Sequence, residues 1–455
     1  MSAPAPIPPA DITYMPGTTS NPFGYVAPMP KHLRESYLNF FSARFACANA
    51  KAMAHYHESM MGFRALARRE MEKDRNRGLC AEVVQNGKIT LEFVAPVMPA
   101  HREEGLKISD EEYEDLESVS LFLQRHGEGV MDVVFEVKKC KELYDWAIAH
   151  GAHSVAEPAL RTDVYGSVLA ATIRTYGDVL HTLVERIDYS GCYLPWYKPV
   201  ETVVPINSDL SHTVPFVKID HCVGNQDWNQ MEGVCKFYAR ALGFHQYFTD
   251  DDYNVTTEYS ALETTVMASE NEKIKMPITM PAIGKRMSQV EEFVRYNNGP
   301  GVQHLALLTE DIVAAVTEMR RRGVQFIEVS PQYYVDLRDR VRDYHGPPIM
   351  ENLDDIEALN LLVDFNKDGY LLQTFVKDHI SSRPTAFYEI IQRRGAQGFG
   401  GGNFRALFES IEREQARRGN LHPHSGPQSQ YPEEEKEGEN RGRRRERTAH
   451  AAKQD

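Results

Sequence analysis

The stretch His-Cys-Val-Gly-Asn at residues 221–225 is followed by a helical pattern that ends in Leu-Gly-Phe at 242–244. Earlier in the chain, Phe-Ala-Cys-Ala-Asn at residues 45–49 leads in the same way to Met-Gly-Phe at 61–63. Each segment has the pattern of a short strand, a turn and an amphipathic helix. The duplication predicts a chain built from two related halves.

Two further matches follow in the same order along the chain. Residues 127–133 match residues 299–305, and each stretch precedes a helical pattern. Residues 176–182 match residues 368–374, where a turn leads into an apolar strand. These matches support an internal repeat.

Strands predominate after the first helix of each half. Residues 89–94 and 264–268 are rich in β-branched side chains and partly alternate between apolar and polar positions. The pattern predicts an α+β fold of tandem βαβββ modules, in which each half curls into an open barrel whose mouth could hold a ligand.

Changes in composition divide the chain into five segments. Residues 198–213 are rich in Pro, Asn and Ser with little periodicity, and the chain after Leu421 has few apolar residues to bury. We predict an N-terminal extension at 1–39, a first domain at 40–197, a linker at 198–213, a second domain at 214–421 and a disordered charged tail at 422–455.

The composition is ordinary for a globular protein of 455 residues, with 42% hydrophobic and 25% charged residues. A net charge of -14 argues against a nucleic-acid partner, because phosphate binding requires clustered Lys and Arg. No secretory signal or membrane span is evident, so we expect a cytoplasmic protein without a membrane partner. The six cysteines show no CxxC pairing, as expected for reduced thiols.

Two histidines and one glutamate, far apart in the sequence, suggest a metal site. If His221, His304 and Glu389 converge, their two imidazoles and one carboxylate form the ligand set of a non-haem Fe(II) oxygenase, with about three positions left for substrate and O2. Singly, each histidine could equally be a hydrogen-bonded core residue. The first half carries Phe45 and Asp132 at the aligned positions, so we predict that it is structural and holds no iron.

Several motifs together resemble the 4-hydroxyphenylpyruvate dioxygenase family, over roughly residues 40–421. The resemblance is strongest in the C-terminal stretch Phe-Tyr-Glu-Ile-Ile-Gln-Arg at residues 387–393. The other matching stretches are residues 219–225, 301–304, 369–373, 383–385 and 398–408.

The resemblance implies an Fe(II)-dependent dioxygenase of tyrosine catabolism with the vicinal-oxygen-chelate fold. Such an enzyme converts 4-hydroxyphenylpyruvate and O2 to homogentisate and CO2 as a homodimer. One Fe(II) per subunit would be held by His221, His304 and Glu389. The implied substrate pocket consists of Thr264, Thr279, Gln289, Gln303, Gln373, Phe375, Phe387, Asn403 and Phe404.

Two of these positions depart from the family pattern. Thr264 stands where Ser is usual, and Thr279 stands where Asn is common, so hydrogen bonding and volume change in the substrate-facing set. Three alternatives therefore stay open. They are a 4-hydroxymandelate synthase, a related oxygenase of a modified aromatic 2-oxo acid, and a non-catalytic binding paralogue.

The glycine-rich stretch at residues 398–402 lacks the Lys of a phosphate-binding loop, and we predict a hinge there. Asn403 is predicted to cap the helix that follows, in which Phe404, Leu407 and Phe408 form an apolar stripe. By default this stripe is core packing. The resemblance adds the option that the helix closes over the pocket.

Overall fold

The computed structural model describes residues 28–72, 75–99, 108–200, 214–247, 255–256, 261–377 and 380–422. Ten helices lie in these ranges. They are α1 (Lys31–Arg34), α2 (Ala50–Ser59), α3 (Asp110–His126), α4 (Cys140–Ala149), α5 (Met231–Ala241), α6 (Gln289–Asn297), α7 (Ile312–Arg321), α8 (Pro331–Arg342), α9 (Leu353–Ala358) and α10 (Phe404–Arg417).

The first half forms a mixed sheet of nine strands in the order β6-β7-β8-β5-β1-β4-β3-β2-β9. Its strands are β1 (Tyr37–Ala46), β2 (Arg64–Arg69), β3 (Leu79–Asn86), β4 (Ile89–Pro96), β5 (Gly129–Val137), β6 (His153–Asp163), β7 (Gly166–Arg174), β8 (Leu180–Arg186) and β9 (Lys198–Pro199).

The second half repeats this arrangement in the order β11-β13-β14-β10-β15-β18-β17-β16, with β12 paired to β13. Its strands are β10 (Phe216–Asn225), β11 (His245–Tyr247), β12 (Val255–Thr256), β13 (Ala261–Ala268), β14 (Lys275–Ala282), β15 (Gly301–Thr309), β16 (Leu362–Asn366), β17 (Gly369–Phe375) and β18 (Phe387–Arg394).

Each half contains two modules of the predicted βαβββ type. The opening strands of the two modules pair antiparallel at the centre of the sheet, β1 with β5 and β10 with β15. Each opening strand also pairs in parallel with the last strand of its own module, as β15 does with β18. The α+β class and the tandem modules are confirmed.

The strand register corrects one detail of the sequence alignment. Ser42 pairs with Val134 in the first half, where His221 pairs with Ala306 in the second. The counterpart of His221 is therefore Ser42 and not Phe45, because periodicity alone does not fix a strand alignment to the residue. Asp132 and His304 do occupy equivalent positions, as aligned.

The third sequence match is also wrong in its topology. Residues 176–182 lead into β8, which closes its module, whereas residues 368–374 belong to β17, the last strand but one. The register gives the true counterpart of β8, since Leu180 pairs with Asp132 as Phe387 pairs with His304. Both pairs of strands follow a turn and are apolar, so pattern alone could not separate them.

Aromatic side chains fill the concave face of the first sheet. Ser42 Oγ lies 2.9 Å from the Tyr193 hydroxyl, which donates to Glu92 at 3.2 Å. Tyr197 donates to the other oxygen of the same carboxylate. The backbone N–H of Thr182 donates to Asp132 at 3.0 Å. The polar side chains of this part of the first half therefore form hydrogen bonds with one another.

One hydrophobic core runs through both halves. It contains Phe93 and Phe135 of the first half and Tyr238, Phe244 and Leu305 of the second, all with 0% exposure. Such burial makes the contact between the halves part of the folded core.

The hairpin between β3 and β4 also joins the halves through its backbone. The backbone N–H of Lys88 donates to the carbonyl of Val217 at 2.7 Å, and the side-chain amide of Asn86 donates to the Val214 carbonyl at 3.0 Å. Gly87, at φ +57°, lets the turn approach the second half closely.

The five-segment division of the chain stays a prediction. Within the predicted extension, residues 31–34 form α1 and β1 begins at Tyr37, whose hydroxyl donates to the Leu242 carbonyl at 3.0 Å. Most of the predicted linker, residues 201–213, and the tail from residue 423 lie outside the described residues. Among the described helices, none has the length and apolar character to cross a membrane.

Replacing Gly87 with Ala should destabilise the protein through the contact between its halves. The new Cβ would lie 2.8 Å from the Val217 carbonyl oxygen. We expect the free energy of unfolding to fall by about 1–3 kcal/mol beyond the conformational penalty. Thermal or denaturant unfolding measures the loss.

Gly151→Ala is the matched control, because Gly151 has φ +99° with no atom near the added Cβ. That substitution carries a conformational penalty alone. An equal loss in the two variants would contradict the proposed close contact.

Candidate metal centre

Three neighbouring strands bring the predicted ligands together. In the register of β10, β15 and β18, His221 pairs with Ala306, and Ala306 pairs with Glu389. Paired residues project from the same face of a sheet, so His221 and Glu389 flank the small side chain of Ala306. His304 lies two residues before Ala306 on the same strand and shares that face. The three side chains therefore converge above Ala306.

The donor atoms are close enough to hold one ion. The Nε2 atom of His221 lies 3.2 Å from Glu389 Oε2, and the Nε2 atom of His304 lies 3.1 Å from it. One donor atom from each residue falls within 4.8 Å of the others, and all three residues are buried. The geometry is that of a three-ligand metal site.

Each histidine is oriented by a polar partner on its other nitrogen. The Nδ1 atom of His221 lies 2.8 Å from Asp220, and that of His304 lies 2.7 Å from the Gln303 side-chain oxygen. Both partners accept, so Nδ1 carries a proton and Nε2 is the nitrogen that faces Glu389. A partner of this kind fixes the tautomer and the ring of a metal-binding histidine.

A half-buried arginine holds Asp220 in turn. Arg393 on β18 donates to both oxygens of Asp220, at 2.9 and 2.8 Å. The guanidinium also lies 5.4 Å from the ring centre of Phe399. This bidentate pair connects the first ligand strand with the strand that carries Glu389.

The charges of the centre favour a cation. Burial alone would raise the pKa of Glu389, but His221 and His304 lower it to about 2. Burial lowers the pKa of His221, but Glu389 and Asp220 more than compensate and raise it. For His304, burial prevails and the pKa is lowered. Two ionised carboxylates face one guanidinium, so a metal cation would supply the missing positive charge.

Unpartnered polar atoms point to a missing ligand. His304 Nε2 and Glu389 Oε1 are buried without a hydrogen-bond partner among the described residues. Such atoms are rare in folded proteins, since burial without a partner costs about 1–3 kcal/mol. A metal ion bound by His221, His304 and Glu389 would satisfy both atoms.

The triad lines a pocket in the second half. Thr264, Thr279, Gln289, Gln303, Gln373, Phe375, Phe387 and Phe404, all predicted as pocket residues, are in its lining. The remaining lining residues are mostly apolar and comprise Val223, Leu262, Val266, Pro277, Phe399, Leu407 and Phe408. Every predicted pocket residue but Asn403 is therefore in this lining.

Asn403 lies outside this lining and bonds to Tyr333. Its side chain makes no capping hydrogen bond, and its oxygen accepts from the Tyr333 hydroxyl at 2.9 Å. A short 3-10 turn at Gly401–Asn403 precedes α10 and leaves Asn403 in a helical rather than an extended conformation. Asn403 is the N-cap residue of α10, as predicted, but in this helical conformation its side chain makes no bond to the start of the helix.

The two threonines that depart from the family pattern face each other on β13 and β14. Thr264 pairs with Thr279 in the register, and the Thr279 hydroxyl donates to the Asn225 side chain. Asn225 and His221 lie on one strand, roughly 13 Å apart at about 3.3 Å per residue. Thr264 and Thr279 therefore line the end of the pocket away from the ligands.

Three residues beside the candidate ligands were not predicted from the sequence to have a role. Asp220 precedes His221, Arg393 follows Glu389 on the same strand, and Phe399 lies 5.0 Å from the His221 ring. The position of Asp220 beside a candidate ligand was an available signal, since a metal-binding histidine needs an acceptor. The position of Phe399 depends on the folding of the glycine-rich loop and has no local signal.

Comparisons with known proteins agree with this architecture. Residues 218–350 match the Glyoxalase/Bleomycin resistance protein/Dioxygenase superfamily. The chain is 46% identical over 386 residues to a 4-hydroxyphenylpyruvate dioxygenase of Aspergillus fumigatus, covering 85% of this chain and 94% of the relative. It is 39% identical over 383 residues to the enzyme of that name from Dictyostelium discoideum, covering 84% and 99%.

A solved structure has the same fold. A mutant of 4-hydroxymandelate synthase from Streptomyces coelicolor superposes with a TM-score of 0.68 at 25% identity. The match covers 84% of this chain and 99% of that one.

Replacing Ala306 with Val should weaken metal binding while the fold is kept. The added methyl groups would enter the space between His221 and Glu389. The equivalent position of the first half is Val134, so the sheet accommodates Val there. We expect the affinity for Co(II), a probe with a visible spectrum, to fall about tenfold or more. Unchanged affinity in the folded variant would contradict the placement of the ion above Ala306.

Proposed function

The chain belongs to the 4-hydroxyphenylpyruvate dioxygenase family, and we propose that it binds one Fe(II) and converts 4-hydroxyphenylpyruvate and O2 to homogentisate and CO2. The observation that carries the proposal is the buried triad of His221, His304 and Glu389 in the wall of a largely apolar pocket. The ligands and the substrate space are thus adjacent.

The donor set suits Fe(II). Two neutral nitrogens and one carboxylate oxygen on one side of an ion leave its other side open, which is typical of non-haem Fe(II) oxygenases. Bound Fe(II) would supply O2 activation at those open positions. The protein contributes the fixed direction of each donor, through Asp220 for His221 and Gln303 for His304.

The residues of the pocket wall favour a substrate whose negative charge is neutralised by the metal. No Lys or Arg is among the described residues that line the pocket. A buried carboxylate without a counter-charge would be costly. A divalent cation with Glu389 retains one positive charge, so the carboxylate of a 2-oxo acid would be neutralised at the metal. The same polar end would also orient the acid toward the reacting centre.

The apolar walls suit an aromatic ring. Phe375 and Phe387 lie 6.1 Å apart in an edge contact, and Phe387 stacks on His304 at 5.1 Å. Aromatic rings in these arrangements offer apolar contact with defined geometry. Gln373, whose side-chain oxygen is buried without a partner, offers a polar contact inside the pocket. An aromatic 2-oxo acid combines the features that this pocket can bind.

Helix α10 provides a cover that excludes water. Phe404, Leu407 and Phe408 project from this helix into the pocket lining. Phe404 and Phe408 also stack on each other with a ring separation of 6.1 Å. Apolar cover strengthens the electrostatic contacts at the metal and limits unproductive side reactions.

A second candidate function is that of a 4-hydroxymandelate synthase. Two observations favour it, namely the shared fold of the Streptomyces coelicolor protein and the altered far end of the pocket. There, the Thr279 hydroxyl is committed to Asn225, which leaves a methyl group where an amide is common in the family. If the aromatic ring of the substrate is bound in a different position, oxygen could be directed to a different carbon of the substrate. The ring-hydroxylating reading is preferred because Phe404 and the residues that follow it remain in the pocket wall.

Two further predictions stay proposals. Homodimer assembly is implied by the family resemblance, and a cytoplasmic location is expected from the sequence. A non-catalytic paralogue is disfavoured, because three buried ligands with oriented rings are costly to keep without a metal.

Substrate binding should depend on the metal. Under anaerobic conditions, Fe(II) and 4-hydroxyphenylpyruvate together should produce a visible charge-transfer band, because the 2-oxo acid would chelate the ion. Calorimetry should show at least tenfold weaker substrate binding to the metal-free protein. Equal substrate affinity with and without Fe(II) would contradict neutralisation at the metal.

Product analysis after admission of O2 separates the candidate functions. Homogentisate with CO2 supports the proposal, 4-hydroxymandelate supports the second candidate, and absence of O2 uptake with any aromatic 2-oxo acid supports a binding paralogue. Glu389→Gln removes the anionic ligand and should reduce turnover below detection. A fully active Glu389→Gln variant would overturn the ligand assignment.

A further inference from the structure

A buried hydrogen bond connects the first half of the chain with the strand that carries Glu389. The Tyr388 hydroxyl lies 2.8 Å from Nε2 of His57 on α2. Tyr388 is 2% exposed and His57 is 1% exposed. The contact joins two side chains of different halves, and one of them immediately precedes the carboxylate ligand.

The direction of this hydrogen bond is fixed by the other ring nitrogen. Nδ1 of His57 lies 2.8 Å from the carbonyl of Met53, which can only accept. His57 therefore carries its proton on Nδ1, and Nε2 accepts from the Tyr388 hydroxyl. The ring is packed at 4.5 Å from Phe93, so the acceptor is held in place.

The position of Glu389 is fixed by fewer side-chain hydrogen bonds than the positions of the two histidines. Asp220 and Gln303 orient the histidine rings directly. The Glu389 carboxylate has no such partner among the described residues beyond the two ligand histidines, and its Oε1 has none. Its position depends on the backbone of β18. Because successive strand residues face opposite sides, an anchor on Tyr388 restrains the strand directly behind the ligand.

We propose that Tyr388 and His57 are positioning residues for the metal, through which the first half fixes the ligand Glu389. The inference rests on the proposed metal function of the triad. It gives the first half a role in the reaction although its own sheet lacks the two histidines. The contact acts on geometry, and neither side chain would touch substrate or metal.

The chain contains a matched contact with the halves exchanged. The Tyr238 hydroxyl on α5 lies 2.7 Å from Nε2 of His181 on β8, and Nδ1 of His181 lies 3.0 Å from the Val133 carbonyl. Both side chains have 0% exposure. The residue after His181 is Thr182, at the position equivalent to Glu389. The strand residue is Tyr in the first contact and His in the second, and only the first contact adjoins a candidate metal ligand.

The test compares Tyr388→Phe with Tyr238→Phe in the full chain. Each variant loses one buried hydrogen bond, so we expect similar decreases in the melting temperature of the metal-free protein, of roughly 2–4 °C. Co(II) titration, followed by its visible absorption, should show about tenfold weaker binding and a shifted spectrum for Tyr388→Phe. Tyr238→Phe should retain the affinity within about twofold.

Equal effects of the two substitutions on Co(II) affinity and spectrum would overturn the positioning role. If Tyr388→Phe does not fold, His57→Gln and His181→Gln provide the same comparison, and only His57→Gln should change the spectrum. Failure of the unmodified protein to bind either Co(II) or Fe(II) would overturn the proposed function itself. That outcome is distinct from equal losses in two variants of a metal-binding protein.

Discussion

The register between β10, β15 and β18 is the constraint on which the candidate centre depends. It places His221, Ala306 and Glu389 in one row across three strands, with His304 on the same face. A shift of one residue in any of these strands would turn its ligand to the opposite side of the sheet. The small side chain at the middle of the row leaves the space that an ion requires. The ligand set is thus a property of strand pairing. Asp220 and Gln303 then orient the two histidine rings, and Arg393 holds Asp220 in place.

The same strand register places different side chains at the equivalent positions of the two halves. In the first half it brings together Ser42, Asp132 and Thr182. Ser42 bonds to Tyr193, which donates to Glu92, and Asp132 accepts from Thr182. In the second half it brings together metal-ligand types around a pocket covered by α10. The first half nevertheless contacts the site region, through the core that both halves share and through the hydrogen bond between His57 and Tyr388. Duplication has left one half with the chemistry and the other with a supporting contact.

Much of the fold and of the candidate site was predictable from the local sequence pattern and from the family resemblance. The strand–helix–strand periodicity predicted the modules, and the motifs around His221, His304 and Glu389 predicted the candidate ligands and most residues of the pocket lining. Residue-level alignment of the halves was not predictable, because β-bulges shift the register within β1 and β10 and several apolar strands have similar patterns. The position of Asn403 depended on a 3-10 turn, and the contact between His57 and Tyr388 depended on the packing of distant elements. Such long-range geometry leaves no signal in a short stretch of sequence.

The proposed centre binds one Fe(II) through two imidazoles and one carboxylate. X-ray absorption spectroscopy at the iron edge of the anaerobically loaded protein tests it most directly, because the multiple-scattering pattern of imidazole reports the number of histidine ligands. We expect two histidine ligands with oxygen donors completing the coordination, and the loss of one imidazole contribution in His304→Ala. A spectrum of the unmodified protein without histidine scattering, or one that His304→Ala leaves unchanged, would contradict it.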